Sequence, residues 1–368
     1  MTPDQLAQLH WMVLGATALA SIFLGSLLQR THFCTMGAVS DAVIMGSFHR
    51  LRQWALALVV ATMGFGVMTF LKLISPLQSV YATGSVLWLS ASLGGLLFGW
   101  GMVWASGCSS KLIVRAGAGN LKSGISLLVM AVVALMAIKG ALAIPRVYAL
   151  DAVKWEPTFG VFASQWLSVL AKVSIQEGSL LASILAVCAL SAWIFKDKDF
   201  LTRHNITTGL SVGLVICVMW WISGVLGHGL EHPETLDEFF LDTSSRKMEA
   251  MSLTAPLAFG LDALMYLSDG TKRFTIGMVS VLGIFMGSLA SAKLNGTFKV
   301  ESFSNFSDLF RHVIGACFMG VGAVLAMGCT FGQGLSGLST LSLMSLIATL
   351  SILIGAYLAL QYDLRKDA

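Results

Sequence analysis

The stretch Gly99-Trp-Gly-Met-Val-Trp-Ala-Ser-Gly-Cys-Ser109 returns later in the chain as Gly320-Val-Gly-Ala-Val-Leu-Ala-Met-Gly-Cys-Thr330. Both copies read G-x-G-x-V-x-A-x-G-C-[ST]. The step of 221 residues that carries Cys108 onto Cys329 also carries Asp41-Ala42 onto Asp262-Ala263. One spacing thus aligns two separate features, which points to an internal duplication. Duplication in a membrane-embedded chain points in turn toward transport.

Working outward, composition sets the solvent. Of 368 residues, 56% are hydrophobic and 11% charged, and the mean hydropathy is +0.80. A soluble domain carries about 25% charged residues, so this chain lacks the charge to cover a water-facing surface. Repeated apolar runs of about 20 residues make the bilayer its solvent. The fold class is therefore an all-α polytopic membrane protein, a single transmembrane domain over 1–368. Thirty-seven glycines and eighteen methionines suit close helix packing around adaptable apolar linings. A net charge of +4 spread over loops leaves no nucleic-acid footprint. Six cysteines without a C-x-x-C pair argue against a disulfide scaffold. Residues 1–10 carry Asp4 and no Lys or Arg, so the first apolar run reads as a retained span and not as a cleaved signal.

Nine spans are predicted, over 9–29, 51–74, 84–106, 121–145, 179–195, 205–227, 275–291, 311–327 and 340–360. Four shorter pieces, 33–47, 108–118, 254–268 and 329–338, cannot cross a bilayer and read as re-entrant or loop helices buried in the bundle or lining a cavity. The first repeat is then 9–145, the second 205–360, and 179–195 a connecting helix. Four crossings plus one make the second repeat inverted, which places Cys108 opposite Cys329 near the bilayer midplane. Fourteen of the twenty-three Lys and Arg residues, among them Arg30, Lys111, Lys196 and Arg365, fall on one side. That bias predicts an outside N-terminus and a cytoplasmic C-terminus. The loop 146–178, with Trp155, Phe159, Phe162 and Trp166, reads as interfacial, and 228–252 as a solvated polar loop.

Cys108 and Cys329 each follow a glycine (Gly107, Gly328) and precede a hydroxyl (Ser109, Thr330) where a glycine-spaced span ends. A helix starting there aims free N–H groups and its dipole at an anion. An apolar site favours the neutral S–H, which does not repel an anion. A lone buried cysteine is ordinarily a small hydrophobe; duplication of the motif turns the reading toward function. Cys34 has Ala255 at the 221-residue offset, so symmetry does not require it. Asp41 and Asp262 read as structural, tying down their re-entrant backbone, since an acidic pair in the path would oppose an anion. Cys188, Cys217 and Cys317 read as structural. His228-Gly-Leu-Glu-His232 matches H-x-x-E-H, but its glycines and Pro233 argue against the helix that zinc pattern needs. Lys72, Lys139 and Arg146 read as snorkelling, or as a basic vestibule. No metal or cofactor is implied.

With Phe33-Cys-Thr-Met-Gly-Ala-Val-Ser-Asp41 beside the two Gly-Cys-[Ser/Thr] motifs, the whole chain resembles the YeeE/YedE family of bacterial sulfur-compound transporters. The resemblance implies uptake of thiosulfate through a bacterial inner membrane by a relay of three cysteine S–H groups, which match Cys34, Cys108 and Cys329. It also implies a possible separate cytosolic sulfurtransferase, and it leaves a selenium compound open as cargo. Two readings from other classes stand beside it: a membrane thiol enzyme carrying sulfane sulfur as a cysteine persulfide, and a small-cation channel resting on Asp41 and Asp262.

Overall fold

A computed structural model describes residues 3–230, 237–266 and 274–367. The helices are α1 (Pro3–Thr31), α2 (Thr35–Ile44), α3 (His49–Phe70), α4 (Trp88–Trp104), α5 (Ser109–Gly117), α6 (Leu121–Ile138), a single turn α7 (Ala143–Pro145), α8 (Ala163–Ala171), α9 (Ile175–Ile194), α10 (Arg203–Trp221), α11 (Thr254–Met265), α12 (Ile276–Leu294), α13 (Phe306–Leu325) and α14 (Leu343–Asp367). Two residues each of β1 (His228–Gly229) and β2 (Phe239–Phe240) pair antiparallel. Among the described residues, nine helices are long and apolar enough to cross a membrane. All nine expected spans fall on them. The protein is an all-α, multi-pass membrane protein.

Helix starts follow capping chemistry. Asn120, Ser174, Thr202, Thr275 and Asn305 each accept a backbone N–H from the first turn of α6, α9, α10, α12 and α13. Ser174 and Glu177 close a capping box. The expected short pieces form α2, α5 and α11, while the fourth makes a wide-turned helix over Gly332–Gly337.

The packing pairs off. Helix α1 lies on α12 as α3 lies on α10; α4 lies on α14 as α13 lies on α6; α2 meets α14 as α11 meets α6; and α5 meets α12 as the Gly332–Gly337 turn meets α3. Lipid offers no hydrophobic drive to helix association, so these contacts rest on close approach of small residues. The duplicated motif shows how. Gly99 packs on the backbone of α14, and its counterpart Gly320 on α6; Gly101 packs on α13, and its counterpart Gly322 on α4. By connectivity α1 begins and α14 ends on opposite faces, here the N face and the C face. α2 and α5 hang from the C face, while α11 and Gly332–Gly337 hang from the N face.

Two loop readings need correction. Phe162, expected at the interface, is fully buried, because its backbone bridges Ser342. The end of the 228–252 loop is also buried, since Met248 pairs with Gln78 and Val80 across a backbone bridge and Met251 accepts the Ser336 hydroxyl. A backbone already paired in this way does not need water.

Candidate anion path

Both copies of the motif end their helices in the same turn. After α4, Ser106 N–H donates to Val103 O and Gly107 N–H to Met102 O; after α13, Met327 N–H donates to Val324 O and Gly328 N–H to Ala323 O. Ser106 (φ 56°) and Met327 (φ 54°) hold the left-handed position that such helix ends usually give to glycine. This turn throws Cys108 and Cys329 into the protein interior, and neither exposes any surface.

Three short helices then point their N-termini at one buried centre. Cys34 is the N-cap of α2, its sulfur accepting the Gly37 N–H at 3.5 Å. Cys108 is the N-cap residue of α5. The two sulfurs lie 3.9 Å apart, and the Ser110 hydroxyl is 3.2 Å from Cys108 Sγ. Ser109 Oγ meets Thr254 Oγ1 at 2.8 Å, which ties the start of α5 to the start of α11. Thr330 of the second motif lies beside the Cys108 sulfur. The Thr35 hydroxyl is buried without a hydrogen-bond partner among the described residues. Helix N-termini, thiols and buried hydroxyls thus gather hydrogen-bond donors around this centre, a chemistry that suits an anion.

Sequence symmetry left the place of Cys34 open, and the structure sets it against Cys108. The signal was present only as a Cys one residue ahead of a short helix. Ser110, Thr254 and Thr35 were not singled out, because hydroxyls in apolar runs are common and nothing local marks these three. Tyr81 was missed as well: its hydroxyl donates to the backbone oxygen of Gly332, over the N-face side of Cys329.

Asp41 and Asp262, expected to be structural, each make an ion pair. Asp41 bridges Arg50 at 3.3 Å and Asp262 bridges Lys139 at 2.9 Å. Arg146 pairs with Asp151 at 3.4 Å. Lys139 and Arg146 thus each hold an ion pair near a span end. Cys188 is exposed on its helix, and Cys217 donates to Val60 O at 3.5 Å. His228 sits in a strand and pairs with Glu238 at 2.7 Å, while the Glu and second His of the H-x-x-E-H match lie outside the described residues.

Residues 30–358 match the family described as "Sulphur transport". The chain belongs to that family. It is 27% identical to the thiosulfate transporter TsuA of Escherichia coli, over 85% of this chain and 84% of that protein. It is 24% identical to TsuA of Spirochaeta thermophila, over 92% and 95%. It is also 29% identical to the probable transporter YedE of Salmonella typhimurium, over 32% and 27%. These relatives make the chain a member of the YeeE/YedE transporter family and not an enzyme, so the persulfide alternative gains no support from them.

One carboxyl in the loop before α11 of this family member, Glu249, titrates near neutrality. Burial pushes Glu249 up to about 7, only partly offset by the Ser244 N–H and the Ser244 and Ser245 hydroxyls. Between the ordinary carboxylate range and about 7 the folded state holds a proton that the unfolded state has lost. Stability from this group is therefore full at low pH and declines as pH rises through about 7. The melting temperature of wild type will fall between pH 5 and pH 8, and Glu249→Gln will flatten that fall. An unchanged slope in the variant refutes the assignment.

Proposed function

We propose that the chain takes up thiosulfate, or a closely related sulfur-containing anion, along a narrow central path through Cys329, Cys108 and Cys34. The observation that carries this is the pair of buried sulfurs 3.9 Å apart at the meeting point of the short-helix N-termini. Thiosulfate is a dianion with a soft terminal sulfur. A neutral S–H offers that sulfur a weak bond that it can leave, and the helix ends balance the oxyanion charge without a fixed counter-ion. Several weak sites in series permit passage where one tight site would trap the ion. Gly107 and Gly328 precede the two cysteines in the motif; Ser110 and Thr330 supply hydroxyls beside Cys108, while Ser109 holds the start of α5 against Thr254.

The relatives' printed activity supports thiosulfate as cargo. The paired packings of α1–α6 and α10–α14 support repeats over 9–145 and 205–360, inverted about an axis in the membrane plane, with 179–195 as connector. The basic residues gathered on the C face support an inner-membrane protein with its N-terminus periplasmic and its C-terminus cytoplasmic. A separate cytosolic sulfurtransferase would receive the cargo on that face.

The test is uptake of radiolabelled thiosulfate into vesicles holding the purified protein. Uptake above protein-free vesicles, blocked by a thiol-alkylating reagent, supports the reading. Uptake equal to the protein-free control sinks it.

A further inference from the structure

We infer that a second anion site, built on Lys111, lies on the C-face side of the Cys34–Cys108 pair and takes a small oxyanion dianion from the thiols. The inference rests on the path proposed above and names its next station.

Lys111 follows Cys108 by three residues, in the first turn of α5. Its ammonium is half-buried and close enough to feel both sulfurs, Arg50 and Arg115. Nζ lies 3.4 Å from His32 Nδ1, a ring nitrogen and no counter-charge, and no carboxylate bridges Lys111 among the described residues. Removing an ammonium from water without an anion is costly, so a half-buried unpaired lysine needs a reason. A transient anionic partner is one.

The surroundings repeat the message. Arg50 reaches over the first turn of α2, where a Cβ on Gly37 would strike its guanidinium and lie 3.7 Å from Cys34 Cβ. Arg115, one turn beyond Lys111, donates to Ser106 O at 3.2 Å. Of these three cations only Arg50 meets a carboxylate among the described residues, that of Asp41. The excess charge sits where an anion leaving the thiols must pass. Charge-assisted hydrogen bonds from such groups are roughly twice as strong as neutral ones, which suits a dianion shedding weak S–H contacts.

The four residues do not recur at the repeat spacing. At the 221-residue offset, His32, Arg50, Lys111 and Arg115 become Leu253, Thr271, Gly332 and Ser336. At the matching positions the second half keeps Cys329 and has no cation. Duplication explains Cys108 and Cys329; it does not explain Lys111, whose counterpart is Gly332.

Two readouts test the site. In purified protein, thiosulfate or sulfate will raise the melting temperature of wild type and of Lys111→Arg, and will do so much less for Lys111→Gln. In preloaded vesicles, Lys111→Gln will require about tenfold more thiosulfate on the C-face side for half-maximal flux, as expected for loss of one charge-assisted contact. Lys111→Arg will come back to within about twofold. Cys108→Ala, run alongside, reports on the path itself. If wild type carries no thiosulfate yet the anion-dependent stabilisation is lost in Lys111→Gln, the transport reading fails and the anion site stands. If Lys111→Gln keeps the stabilisation and the wild-type flux constants while Cys108→Ala loses flux, the Lys111 site is wrong. Absence of any anion-dependent stabilisation in wild type also overturns it.

Discussion

Growth on thiosulfate of a host lacking its own thiosulfate uptake will fall to background when Cys108 or Cys329 is changed to Ala, with each variant present at wild-type abundance. Both side chains are buried in the interior with no exposed surface, so the variants leave small cavities and the fold survives them. What they lose is the S–H group. At Cys108 that group lies 3.9 Å from Cys34 Sγ and 3.2 Å from Ser110 Oγ, so Ala breaks a chain of donors in its middle. An anion left without one donor in a low-dielectric site forfeits about 1–3 kcal/mol, or roughly a tenfold to hundredfold slowing per missing contact. Cys34→Ser sharpens the experiment. A hydroxyl can still cap α2 by accepting the Gly37 N–H, so structure is kept while the soft sulfur is lost. If Cys34→Ser grows like wild type, any donor suffices; if it fails, sulfur itself is required. Growth of Cys108→Ala and Cys329→Ala at the wild-type rate would keep the transporter and remove the thiols from its mechanism.

Gly99→Val will cost most of the folded protein, and Gly287→Val will do the same on the far side of the bundle. A Cβ at Gly99 would run into the carbonyl oxygen of Ile352 and the backbone of α14, and Gly355 across the same interface presses on Leu96. Gly287 and Gly25 interlock likewise with Ile22 and Ile284, where α12 meets α1. Backbone cannot step aside as a flexible side chain can, so even one added methyl group forces the helices apart at about 1–3 kcal/mol, and Val adds more. Gly15→Ala and Gly124→Ala are the controls. Nothing lies within 4 Å of an added Cβ at either place, and Ala favours a helix over Gly by up to about 1 kcal/mol. Thermal melting monitored by size-exclusion chromatography should separate the two groups. Equal melting temperatures for Gly99→Val and wild type would show that α4 and α14 are not held by backbone contact.

The sequence carried the spans because bilayer thickness demands long apolar runs, and it carried the short pieces because they fall below that length. It also carried the motif's importance, since repetition of Cys108 at Cys329 is visible without coordinates. Contacts across the bundle were another matter. Cys34 meets Cys108 over 74 residues and Ser109 meets Thr254 over 145, and no local pattern encodes which turn of one re-entrant helix faces another. Asp41 and Asp262 were visible as membrane-depth carboxylates, yet their partners Arg50 and Lys139 could not be chosen from among the nearby cations. Phe162 looked interfacial because aromatic residues cluster around it, and a single backbone bridge to Ser342 decided otherwise.

The interleaving of the two halves bears on how the molecule comes into being. The main neighbour of α1 is α12, α3 rests on α10, and α4 rests on α13 and α14. A nascent chain inserted only through α6 therefore has its glycine-faced surfaces bare to lipid and its re-entrant turns without their opposite numbers. Tyr81 waits for Gly332 and Ser109 for Thr254, both still to be synthesised. The buried centre around Cys108 therefore draws its contacts from both halves and cannot be closed from one alone.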